Sequence, residues 1–122
     1  MSDKPVRTPG PDHPITVERA EGRVTATVGE VTIADTTAAL VLREAGYQPV
    51  HYFPRADVDT ERLERTDHAT YCPYKGDAGY FSVRLGDQVL DNVVWTYEQP
   101  YDAVAEIRDH VAFYPDRVTV AG

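Results

Sequence analysis

The chain has 122 residues and carries twenty acidic against twelve basic side chains, a formal net charge of −8. That length fits one domain, and the acidic balance argues against nucleic-acid or anionic-membrane binding, both of which need clustered Lys and Arg. No stretch approaches the roughly 18–20 apolar residues of a membrane span, and the start MSDKPVRTPGPDHP has no apolar leader core, so a cytoplasmic protein is expected. A single cysteine, Cys72, excludes an internal disulfide and a multi-thiolate zinc cage; no metal and no cofactor is expected.

Pro5, Pro9, Pro11 and Pro14 fall in a stretch without hydrophobic periodicity, which predicts an irregular arm over 1–14 ahead of a single β domain over 15–122. Too proline-rich to fold on itself, such an arm has the option of crossing onto a neighbouring subunit, a route to a homo-oligomer. From Ile15 the apolar period is two, the signature of strands. Ile15 and Val17 alternate with polar neighbours, as do Val24, Ala26 and Val28, then Val31 and Ile33. Gly29-Glu30 between the last two runs suits a type II′ hairpin turn, and Gly86-Asp87 does the same between Phe81, Val83, Leu85 and Val89, Val93, Trp95.

Leu40 to Glu44 and Val50 to Phe53 are short strands, and Val111 to Phe113 with Val118 to Val120 close the chain. Arg55 to Asp67 reads as a solvated surface, with at most a short turn of helix capped by Thr60. One C-terminal helix is expected from Pro100 or Tyr101 to about Asp109, with Val104, Ile107 and Val111 as its buried stripe. The sum is a mainly β domain with antiparallel neighbours and one short helix.

The densest patch, Thr66 to Phe81, packs four aromatics, a thiol, a lysine, a histidine and two glycines into a mixture too varied for a plain strand. Its box Cys72-Pro73-Tyr74-Lys75-Gly76-Asp77-Ala78-Gly79-Tyr80 resembles the hallmark of the domain-of-unknown-function family 427, found in bacteria and fungi. Tyr52-Phe53-Pro54-Arg55, Leu63-Glu64-Arg65-Thr66, Trp95-Thr96-Tyr97 and the ending Val111-Ala112-Phe113-Tyr114 match it too. The resemblance implies a fold similar to the β-tent (Mss4-like) group, in which antiparallel sheets meet at an angle and an aromatic-lined pocket opens between them. Relatives there often hold a structural zinc with paired Cys-x-x-Cys motifs; this chain has none and must hold its sheets by packing.

A label attached to the family calls it nucleotidyltransferase-like, and Asp57-Val58-Asp59 has the spacing of a magnesium pair. No Gly-Ser turn for a triphosphate occurs, however, and Lys75-Gly76 reverses the order of a phosphate-binding loop. Cys72 is a nucleophile only if a cation or histidine lowers its pKa, with Lys75 and His68 near in sequence; otherwise it is a small buried hydrophobe. His13, His51, His68 and His110 lack the close spacings of a metal site. Among them His51, opposite Val50 and Tyr52 on its strand, reads either as a satisfied core group or as a pocket donor.

Aromatic recognition is the favoured reading. Eight tyrosines offer flat apolar bodies with a hydroxyl suited to a wet pocket edge. Tyr52, Tyr74, Lys75 and His51 are the expected polar contacts of a small molecule or a peptide end, Tyr80, Trp95 and Tyr97 the walls, and Gly76 with Gly79 either permits close backbone approach or makes a turn. The alternative is a small metal-independent hydrolase or transferase using Lys75 with Cys72 or His51. An interaction module using the acidic face is a third reading.

Overall fold

The computed structural model describes residues 5–122. It is mainly antiparallel β in two open sheets. β1 (Ile15–Arg19), β4 (Leu40–Glu44), β5 (Val50–Pro54), β9 (His110–Phe113), β8 (Gln88–Thr96), β7 (Gly76–Leu85) and β6 (Leu63–Cys72) lie side by side in that order in a seven-stranded sheet. β10 (Thr119–Ala121), β2 (Val24–Val28) and β3 (Val31–Thr36) make a three-stranded one.

Both glycine turns form as the sequence requires. Val28 pairs with Val31 and Leu85 with Gln88, and the left-handed φ falls on Gly29 (58°) and Gly86 (60°) but not on the residue after each, the pattern of a type II′ turn.

Strand alternation sorts the apolar side chains of the large sheet onto two faces. Phe53, Phe81, Val83, Val94, Val111 and Phe113 meet Val24, Ala26 and Ile33 of the small sheet in a packed core. The opposite face carries Leu42, Tyr52, Ala78, Tyr80, Tyr97 and Ala112, roofed by Val104 and Ile107. The space between the sheets is thus filled, and the aromatic cluster lies on the outer face of the large sheet rather than between the two.

Three expectations need correction. The C-terminal helix is a 3-10 segment over Asp102–Ile107, broken at Val104 (φ −128°, ψ 29°). Asp109 then turns the chain left-handed (φ 63°) into β9, so only Val104 and Ile107, three apart as a three-residue turn demands, stay on its buried side while Val111 joins the other core. Arg55 to Asp67 holds two 3-10 turns, Arg55–Asp57 and Thr60–Arg62, with Asp59 rather than Thr60 at the second N-cap and no side-chain cap bond; β6 already begins at Leu63. The varied patch Thr66 to Phe81 is a hairpin after all, β6 and β7 joined at Pro73 to Lys75, with a register shift between Arg65 and Ala69. β6 is an edge strand, so its outward positions take polar side chains and hide the strand signal.

Between Pro5 and Pro14 the arm holds no helix or strand. Residues 1–4 lie outside the described residues; from Pro5 onward it lies on its own domain. Arg7 N–H donates to Pro73 C=O (2.9 Å), Gly10 and His13 bond each other's main chains, and Ala45 N–H donates to Pro14 C=O (2.8 Å). Prolines remove donors from the arm, and the body's Ala45 N–H supplies the one that the Pro14 carbonyl accepts.

Candidate functional site

The turn between β6 and β7 aims Lys75. Lys75 N–H donates to Cys72 C=O (3.2 Å), and the Lys75 carbonyl accepts Tyr101 N–H (3.0 Å). Gly76 follows at φ 111°, with Gln99 O at 3.3 Å from where a Cβ would stand. A side chain there meets both a strained backbone and a main-chain wall, so Gly76→Ala is expected to cost about 1–3 kcal/mol in urea unfolding. Gly79→Ala is the milder comparison, because the atom its Cβ would crowd is the movable tip of Arg65.

Thus directed inward, Lys75 is 8% exposed. Its Nζ lies 2.5 Å from Oε1 of Glu44, whose other oxygen lies 2.7 Å from Nε2 of His13. Burial pushes the Glu44 carboxyl up, yet the hydrogen bonds from Lys75 and His13 outweigh it and the group ends below its ordinary value. An ionised carboxylate only accepts, so Nε2 of His13 carries the proton.

Lys75 and Glu44 form one end of a hollow of about 230 Å³. Tyr52, Tyr80, Trp95, Tyr97 and Tyr114 wall it, with Leu42, Val50 and the β4–β5 turn residues Tyr47 and Gln48. Trp95 Nε1–H donates to Tyr52 Oη (3.2 Å), while Tyr80 Oη bonds Thr70 Oγ1 (2.9 Å) and approaches Tyr114 Oη (3.4 Å). Lys75 Nζ stands 5.9 Å from the centre of the Tyr97 ring. Tyr97 Oη has no hydrogen-bond partner among the described residues, and burial raises its pKa well above the usual phenol value. Burial likewise raises that of Tyr52.

Five of the sequence candidates, Tyr52, Lys75, Tyr80, Trp95 and Tyr97, therefore converge. Three do not. Tyr74 faces outward, its ring stacked on His13 at 4.0 Å and 6°, and lines a separate hollow with Val6 to Thr8 of the arm. Cys72 is half-buried against the aromatic cluster without lining the hollow. His51, one residue from Tyr52, points to the opposite face, where it lines a hollow with Arg19 and Arg43. Burial and the neighbouring Arg43 charge lower its pKa.

Sequence reasoning missed Glu44, His13 as its partner, and Tyr114. A signal for Glu44 existed: it shares the strand parity of Leu40 and Leu42, and a carboxylate on an apolar face needs a partner. A larger hollow, about 480 Å³, opens beside β6 at Arg65, Asp67, His68 and Glu98, but it holds none of the candidate residues, and Arg65 is spent on Glu98 at 2.6 Å. Among the described residues no group of three or more His, Cys, Asp or Glu is placed to hold a metal ion.

No curated protein matches the chain. A family model described as a domain of unknown function (DUF427) matches residues 16–121, nearly the whole β body including every wall of the hollow, and the chain belongs to that family.

Proposed function

We propose that this domain binds a small molecule in the hollow between Trp95 and the Lys75 and Glu44 pair. The observation that carries the reading is the concentration of five aromatic walls around a buried, hydrogen-bonded ion pair, the mix of apolar body and few convergent polar groups that ligand sites share. A buried pair is a poor device for stability alone, since desolvation offsets most of its attraction. The enzyme reading, with Cys72 or His51 beside Lys75, draws no comparable support, because neither lines this hollow. The nucleotidyltransferase-like label draws none either: Asp57 accepts a hydrogen bond from Thr36 Oγ1 of β3 (2.7 Å) and Asp59 pairs with Arg62 of its own turn (3.1 Å), so both carboxylates are engaged within the fold.

Trp95 is the chain's one tryptophan, so its emission reports directly on occupancy. A fragment library screened by Trp95 fluorescence is expected to yield binders whose effect disappears in Tyr97→Ala. Binders that leave Trp95 unmoved, or that act equally on the variant, would count against the reading.

A further inference from the structure

β5 and β9 part company inside the large sheet. Their ladder has Pro54 opposite His110 and Phe53 opposite Val111, and ends there. Arg55 N–H donates to Asp109 C=O (3.0 Å), which fixes the alternation: the main-chain groups of residues 55, 53 and 51 turn toward β9. On β9, Tyr114 N–H donates to Val93 C=O (2.9 Å), so residues 112 and 114 turn toward β8, and 111 and 113 toward β5. The next rung would join His51 N–H to Phe113 C=O, and the register shows no such rung. Both groups face a split in the sheet. His51 lines this place together with Phe113.

Two hollows flank the split and share Tyr47, Gln48, Val50 and Trp95. One is the hollow of Lys75 and Glu44. The other, about 380 Å³, is lined by Pro49, His51, Phe113, Pro115 and Val120 in addition to the shared residues, and is predominantly apolar. Together they reach the size of ordinary small-molecule sites.

The charges select among occupants. Lys75 and Glu44 neutralise each other at 2.5 Å. A lone carboxylate or ammonium at that end gains from one partner what it loses to the other, and still forfeits its hydration. A neutral group with both a donor and an acceptor bonds both partners without that loss. The missing rung would have exchanged an N–H and a C=O from each strand, and such an edge asks for the same donor and acceptor complement, which is an amide.

We infer that the split between β5 and β9 receives a net-neutral, amide-bearing amphiphile of small-molecule size: its apolar or aromatic body against Phe113, Pro49 and Val120, an amide at the main chains of His51 and Phe113, and an uncharged polar end at Lys75 and Glu44. This rests on the reading of the Trp95 hollow as a ligand site.

The test is a charge series on one body, measured on the full chain at pH 6 by Trp95 emission. N-acetyl-phenylalaninamide is neutral, N-acetyl-phenylalanine carries one negative charge, and phenylalaninamide carries one positive charge. The neutral compound is expected to bind at least about tenfold more tightly than either charged one. Glu44→Gln, checked for folding by circular dichroism, shifts the preference at least about tenfold toward the anion, and Lys75→Gln shifts it toward the cation. Equal or tighter binding of a charged compound to the unmodified chain would overturn the ligand class while leaving the hollow a ligand site. Failure of the neutral compound to bind at millimolar concentration overturns the class as well, and the hollow itself falls only if the fragment screen also fails to move Trp95.

Discussion

Phe53→Ala is expected to lower the free energy of unfolding by about 3–5 kcal/mol, the range for a buried phenylalanine whose neighbours cannot close the void. Its side chain is fully buried and meets Phe113 edge-on, with ring centres 5.3 Å apart at 81°. It also occupies the last rung of the β5 and β9 ladder, so the walls around it come from both sheets and from the margin of the split. Those walls are strands fixed by main-chain bonds, which limits collapse. Urea unfolding at neutral pH measures the loss; a cost under about 1 kcal/mol would show that the core between the sheets is not packed as described.

Glu44→Ala is expected to cost about 3 kcal/mol, because it strands the buried Lys75 ammonium and leaves His13 without its acceptor. The cost depends on pH in a defined sense. The folded-state carboxyl titrates below its unfolded value. Stability from Glu44 is therefore complete above the unfolded value of about 4.3 and is lost as pH falls through the folded one. The gap between parent and variant should narrow as the solution becomes more acid than the unfolded carboxyl value and the Glu44 carboxylate takes up its proton. A gap that fails to narrow there would contradict the pairing.

How much of this was legible depended on whether a signal was local. Gly29-Glu30 and Gly86-Asp87 state their turns in two residues, and the alternation of Tyr80 with Phe81 or Tyr52 with Phe53 assigns sheet faces without any knowledge of the partner strands. That same alternation separates His51 from Tyr52, so placing both side chains in one pocket conflicted with the strand itself. β6 was harder to see, since this edge strand is mostly exposed and carries polar side chains where an apolar stripe would stand. The 3-10 segment was unreadable because Val104 and Ile107 fit a helical turn of either pitch. Glu44 and Lys75 stand thirty-one positions apart and meet only once β4 and the β6–β7 turn are assembled. The split depends on where a ladder stops, which no residue type encodes.

The claim that the Trp95 hollow is the functional site is tested most directly by locating binders on the molecule. Backbone and indole N–H shifts would be recorded for the isotopically labelled chain as fragment-screen binders are added. The account predicts the largest shifts at the Trp95 indole, Val50, Glu44, Lys75 and Tyr97, with little change along β6. Shifts centred on Arg65, Asp67 and Glu98, with the Trp95 indole unmoved, would contradict it.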